Sequence, residues 1–579
     1  MRSTGRADTN LLIGIASVAV FNFAATATGP VSPTFSKEVA PILSRHCVTC
    51  HRAGEIASAV PLLIYDEVRP WAKSIKEKVI TREMPPWPAD PNRSLRFRND
   101  ASLDQKEINT LVAWVNAGAP KGNDTDSPPP PVSAAGWRHP TGRNPDLIIS
   151  MPQEFEVPAQ GTVPYVRRLV NVPLSQDRWV AALQVRPGNP AVVHHIAITE
   201  DTLDKGVKPA DLEALASFAR QQGFQNVLPG LRPAVPAPGN NSGVDMLGVY
   251  TPGTTLEMYD DDTAKLMKGG ENSYINFNIH YQPNGQPQKD RSMIGFWFRS
   301  SAPRHQLFRV PGATKTIIAN GREILSDARG RKAEGTGAAI PPIPPNQENY
   351  EVTGITAYQE PIVIFQFQPH AHIRCKDFQY TVVYPDGREQ SVLSVPKFNF
   401  QWQLAYDLET PLHLAAGSKL VVTAHYDNSR NNKYNPAPDQ EVHFRDVENQ
   451  SWDEMFTPFV QFSTDIPDFA QQTNAAGPHA KNVPDIVEVD GCLVQSGGIW
   501  MLTRATSPIA SESQATTSAA LKSAEGRPLG NETFQLLGVN AFSPAGHLGQ
   551  KVAVKGVWIK ANGGINVTSL QMAAAACGQ

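Results

Sequence analysis

The sequence predicts a mainly β, multidomain protein with a small α-helical domain near its start and a small β-barrel at its end. Three observations carry this expectation. The 50 prolines and 42 glycines are scattered through the 579 residues, so long helices are interrupted nearly everywhere. Between these breakers lie short runs rich in Val, Ile, Phe, Tyr and Thr, the composition of strands. The chain is 41% hydrophobic and 18% charged, which supplies buried cores and excludes wholesale disorder. A net charge of −3 offers no basic field for nucleic acid, and none is expected as a partner. Five cysteines are too few for a disulfide scaffold of this size.

Taken in order, the chain opens with Arg2 and Arg6, an apolar run from Leu11 to Ala24, and Ala25-Thr26-Ala27. This reads as a secretory signal over residues 1–27, the alternative being an uncleaved anchor. The run is short of the roughly 20 residues a membrane span needs, so the mature form is expected without a span, in the periplasm or secreted. Residues 34–122 read as helical, with amphipathic segments at Phe35–Arg45 and Tyr65–Ile80. A third runs over Leu103–Gly118, where Ile108, Leu111, Val112 and Val115 share a face. Residues 123–144 are a linker whose Pro/Ser/Asp-rich part, 123–136, is expected to be extended. Two β units follow over 145–302 and 303–465, divided near Ser301-Ala302-Pro303. A long Gly/Ala/Pro-rich loop is expected over 324–347. A third β unit occupies 484–579, with a Ser/Thr/Ala-rich loop near 505–520 and Cys492 and Cys577 placed to tie its ends together.

Cys47-Val48-Thr49-Cys50-His51 is a C-x-x-C-H motif. Two such thiols can add to the vinyl groups of one covalent haem c, with His51 as the proximal iron ligand. A redox C-x-x-C and half a zinc site are the competing readings. The first lacks its usual βαβ setting, and the second lacks a further Cys or His pair in the domain. Met84, in "REMPPW", is the one methionine of residues 34–122 and the candidate sixth ligand, with core filling as its bland reading. The whole segment, from "FSKEVAPILSRHCVTCH" to "LVAWVNAGAP", resembles a class I cytochrome c domain.

The β body carries His194-His195 in "AVVHHIAIT", His280 in "INFNIHYQ", His370-Ala371-His372 in "FQPHAHIRC", and Met455 in "WDEMF". Singly, a strand histidine is more often structural than a ligand. The H-x-H pair is better evidence, because residues i and i+2 of a strand share a face. The adjacent pair can serve one ion only through a twist or bulge. Together, imidazoles plus a thioether select copper over zinc, magnesium or calcium.

The order HH, H, HxH, M across two β halves resembles the copper type II ascorbate-dependent monooxygenases, the family of peptidylglycine α-hydroxylating and dopamine β-monooxygenases. The resemblance covers roughly 145–465, including Gly253 in "GVYTPGT", and is nearest to bacterial forms with an N-terminal cytochrome c. It implies two jelly-roll-like sandwiches, each carrying one of two coppers across a solvent-filled cleft, followed here by an OB-like barrel. It further implies that His194, His195 and His280 hold an electron-storing copper. His370, His372 and Met455 would hold the oxygen-binding, catalytic copper. The implied partners are O2, a small-molecule substrate, and a periplasmic electron donor or ascorbate-like reductant. Three positions depart from the peptide-hydroxylating pattern: Gln368 stands for an Arg, Thr457 for an Asn and Phe459 for a Tyr. A peptide carboxylate is therefore not expected as substrate. Cys375 replaces a usual Gly, either as a thiol near copper or as a small buried residue. Of the remaining histidines, His425 is the one expected to support the ligands. Two functions fit these residues: a C–H-hydroxylating copper monooxygenase fed through the haem, and a non-enzymatic haem/copper electron-transfer or copper-binding protein.

Overall fold

The computed structural model describes residues 32–129, 136–209, 230–237, 245–254, 256–325, 340–444, 451–464 and 485–578. The expected signal segment and residues 326–339 of the expected loop lie outside them. Among the described residues no helix is long and apolar enough to cross a membrane.

The first helical stretch joins Phe35–Val39 to Ala40–His46, and the second runs through Tyr65–Val68, Arg69–Trp71 and Ala72–Ile80. The third helix, Gln105–Asn116, starts where the Asp104 carboxylate accepts the Glu107 N–H at 2.7 Å. Gly118, at φ 88°, turns the chain at its end. Phe35, Val39, Leu43, Leu111 and Trp114 form the small core these helices share.

The β body is two sandwiches that share a sheet. In the first half, Leu147–Ser150, Met293–Arg299, Arg178–Arg186 and Thr263–Met267 are successive neighbours. Parallel pairing of His305 with Thr263 carries this sheet onward into His305–Pro311, Thr457–Thr464, Ile362–His370 and Tyr406–Leu414. A second sheet, centred on Val193–Leu203 and Tyr274–Tyr281, covers the first half around Ile196, Phe277 and Phe296. A six-stranded sheet that includes Tyr350–Ala357, Lys419–Tyr426 and Cys375–Val383 covers the other around Ile364, Phe378 and Val422. The sheet thus runs unbroken past Ser301-Ala302-Pro303, because the turn there feeds one strand directly beside another.

The last unit is a closed barrel. Ile486–Ser496, Ile499–Ala505, Glu532–Leu537, Gly564–Ala574 and Lys551–Ile559 follow one another around it and back to the first. The third and fifth strands in chain order, Glu532–Leu537 and Gly564–Ala574, pair in parallel, giving the expected OB-like form. Where the sequence suggested a loop to about 520, a helix, Ser518–Gly526, begins at the Thr517 cap. Cys492 and Cys577 form a disulfide, with Cα atoms 5.7 Å apart.

Residues 87–98 leave the helical region and run along the second sandwich. Leu95 N–H donates to the Val392 carbonyl at 3.0 Å and Arg98 N–H to that of Asp407 at 2.9 Å. Trp87 and Phe97 pack on the buried Tyr406 ring, centroids 4.9 and 5.3 Å away. Two aromatic anchors and a run of backbone bonds hold this strap. The helical region is therefore fastened to the β body by more than the 123–136 linker, of which 130–135 lie outside the described residues.

Candidate metal centre and the crevice beside it

His195 and His280 face each other across an antiparallel pair. The next pairing, Tyr281 with Val193, skips His194, which is the extra residue of a β-bulge. That bulge turns two adjacent side chains to one side. The His194 and His195 Nδ1 atoms stand 2.9 Å apart, and one ligand atom from each of the three histidines lies within 4.8 Å of the others. Two nitrogens bound cis to one ion at about 2.0 Å would stand roughly 2.8 Å apart. The buried His280 Nδ1 has no hydrogen-bond partner among the described residues. Burial drives the His194 imidazole down to about 4 and His280 to about 3. It takes His195 well below its ordinary value, helped by His280, His194, His370 and His372. All three are neutral at pH 7, with lone pairs available to a metal.

His370 ends the strand Ile362–His370, and His372 follows it, fully buried. The His370 Nδ1 lies 2.5 Å from Gln403 Oε1, and its Nε2 lies 3.2 Å from the Met455 sulfur. With Nδ1–H given to the amide oxygen, Nε2 and the thioether turn lone pairs toward each other, as two ligands of one soft ion would. The His372 Nδ1 sits 3.0 Å from the Asp453 carbonyl, which sets the orientation of the ring. Burial lowers the His370 imidazole to about 4.

Glu454, which the sequence reading passed over, organises this second group. Its Oε2 accepts the N–H of His372 at 2.9 Å and of Met455 at 3.3 Å, and its Oε1 that of Arg374 at 2.7 Å. Arg374, itself buried, donates to Asn428 Oδ1, Asn435 Oδ1 and the Trp452 carbonyl. The only sequence signal was the acidic pair Asp453-Glu454 directly before Met455. Tyr165, likewise unforeseen, stacks on His280 at 4.8 Å.

The two groups are not separated by a solvent-filled cleft, as the resemblance implied. The His195 and His370 rings are 6.4 Å apart. Segment 400–403 fills the junction. Phe400 stacks on His194 at 5.2 Å and touches His372 edge-on at 5.6 Å, Gln401 Oε1 lies 3.1 Å from His194 Nε2, and Gln403 meets His370. An aromatic ring placed among three imidazoles excludes the water that a cleft would hold. His425, expected beside the ligands, instead bridges Asp377 at 2.7 Å and Glu351 at 3.4 Å, which raise it to about 9. Cys375 is a buried thiol whose Sγ lies 3.5 Å from the Asp377 carbonyl. Gln368 and Phe459 are cross-strand partners, as are His370 and Thr457, and all four line one seam.

Trp402, the remaining residue of that segment, points the other way, into an apolar crevice of about 120 Å³ in the helical region. Cys47, Cys50, His51 and Met84 line the same crevice. His51 Nδ1 lies 2.9 Å from the Val60 carbonyl, leaving Nε2 for the crevice. Burial pushes the Cys47 thiol up to about 12 and the Cys50 thiol up to about 11, unlike the low values of redox cysteines.

These features define a class: a mainly β multidomain protein with buried imidazoles gathered where two sandwiches meet. Residues 336–436 match the family described as copper type II ascorbate-dependent monooxygenase, C-terminal domain, so this segment is similar to that family of copper-binding monooxygenases. No curated protein matches the chain. Among solved structures, a crystal structure of the STIV MCP aligns at 9% identity over 48% of this chain and 95% of that one, with a TM-score of 0.15. The Sputnik virophage structure aligns at 9% identity over 61% and 98%, with a TM-score of 0.13. Neither likeness bears on the fold or the site.

Proposed function

We propose that the protein is an exported copper monooxygenase that hydroxylates a C–H bond of a small, neutral substrate with O2, drawing electrons through its own c-type haem. The observation that carries this is the convergence of His194, His195 and His280 beside His370, His372 and Met455, of which His370 and His372 lie in the family-matched segment 336–436. Bound at these donors, copper supplies one-electron chemistry for activating O2, and the Met455 thioether favours Cu(I). The His194 group would store an electron; the Met455 group would meet oxygen. Glu454 and Gln403 orient the second group, and Phe400 keeps the junction dry.

Support for haem c lies in an apolar crevice with two protonated thiols, an oriented imidazole and a thioether on its wall. Haem there would supply a one-electron relay. Substrate neutrality rests on Gln368. Its buried Oε1 has no partner among the described residues and is suited to accept a hydrogen bond from a substrate N–H or O–H. Export is supported by the Leu11–Ala24 run and by the disulfide, which suits an oxidising compartment.

The closed junction favours one competing reading, a haem/copper electron-transfer protein that oxygenates nothing. Anaerobic reduction of the haem- and copper-loaded protein, followed by O2, separates the two. The monooxygenase consumes O2 faster when small neutral molecules are added and incorporates oxygen into one of them. A relay protein reoxidises at a rate that no added molecule changes.

A further inference from the structure

A cleft of about 490 Å³ opens where the Cys47–His51 segment meets the first sandwich, away from both groups of histidines. Arg52, Arg138 and Arg186 line it, and Glu55 is the one acid on its wall. Glu55 is taken by Arg52, at 3.2 Å. Neither the Arg138 nor the Arg186 guanidinium has an ion-pair or hydrogen-bond partner among the described residues. Arg186 instead lies over the Trp137 ring at 4.8 Å. Both side chains are partly buried. Two unpaired, partly buried guanidiniums beside a third arginine are costly to hold together without a counter-charge. Desolvation, Arg52 and Arg186 lower Arg138 from its ordinary value against the weaker pull of Glu55, so the wall as a whole carries more cation than anion.

We propose that this cleft binds a small organic anion bearing carboxylate groups. Arg138 and Arg186 take its oxygens as charge-assisted hydrogen-bond donors, a task for which the guanidinium fork is shaped. Thr49 and Thr254 add hydroxyls to the same wall, while Tyr250 and Leu63 offer it an apolar side. That mixture suits an organic body better than a bare inorganic ion. The volume falls within the range of small-molecule sites. Gly253 turns the chain beside Cys50 at a φ of 90°, a backbone conformation that favours glycine.

The test is calorimetric titration of the full-length protein with citrate and, separately, with inorganic phosphate at fixed ionic strength. Citrate is expected to bind once per chain and more tightly than phosphate. Arg138→Gln and Arg186→Gln should each weaken it about ten- to hundredfold. Arg430→Gln, which removes an exposed arginine paired with Asp439 elsewhere, should leave it unchanged. Should Arg138→Gln fail to fold, Arg186→Gln alone decides. Absence of citrate binding, equal loss in Arg430→Gln, or phosphate binding as tight as citrate would each overturn the assignment.

Discussion

Glu454→Gln changes one atom of the site and separates its two halves. The wild-type carboxylate accepts three backbone N–H groups, from His372, Arg374 and Met455, in a position with no solvent exposure. An amide has a single acceptor oxygen. Turned toward His372 and Met455, its NH2 faces the Arg374 N–H; turned the other way, it faces the other two. At least one buried donor loses its acceptor, at a cost of about 1–3 kcal/mol. Expressed as local opening, that is roughly five- to hundredfold faster amide exchange at 372–374 and 455. Copper affinity at the His370/His372/Met455 group should fall about ten- to hundredfold, as when partners of metal ligands are removed. The His194/His195/His280 group should be unaffected, since Glu454 makes no hydrogen bond to it among the described residues. Burial lifts the Glu454 carboxyl to about 7 against the pull of Arg374 and the three N–H groups. Below pH 7 the protonated acid resembles the amide, so the difference between wild type and variant should shrink. Exchange within twofold of wild type at pH 8, with unchanged copper affinity, would refute the reasoning.

Three further outcomes follow from the same geometry. Trp402→Ala should slow reoxidation of reduced haem by loaded Cu(II), while Trp71→Ala, on the same crevice wall but off segment 400–403, should not; equal effects in stopped-flow absorbance would mean that crevice exposure alone matters. His425 is raised to about 9, so the stability it adds is complete below about pH 6.5 and is lost as pH rises through 9. His425→Gln should therefore flatten the stability–pH curve across that window by roughly 1–2 kcal/mol, allowing for the partly open carboxylates, as read by denaturant unfolding at each pH. Cys577→Ser should destabilise the barrel by about 2–4 kcal/mol, because the bridge closes a segment of 85 residues. Faster hydrogen exchange confined to Ile486–Ser496 and Gly564–Ala574 would be the sign of it.

Much of this molecule is written in local pattern. Ile108, Leu111 and the Gly118 stop mark a helix by spacing alone, and the barrel's short runs between glycines mark strands. The adjacent histidines announced the bulge, since no regular strand turns both to one ion. Other features depend on distant chain and left no local trace. The shared sheet rests on one short parallel pairing of His305 with Thr263, which no periodicity encodes. Phe400 and Trp402 look like ordinary strand-edge aromatics in "FNFQWQ". Their roles arise only when that segment is inserted between imidazoles on one side and the crevice on the other. His425 drew attention through its strand segment "VVTAHYDNS", yet strand register set it between two acids.

Copper counting across two variants bears on the central claim most directly. Metal analysis with electron paramagnetic resonance of the Cu(II)-loaded protein should find two coppers per chain. His280→Ala should keep only the weaker, thioether-associated one, and Met455→Ala should keep the three-imidazole signal while losing affinity at the other. Two coppers of native affinity in both variants, or fewer than one in the wild type, would contradict it.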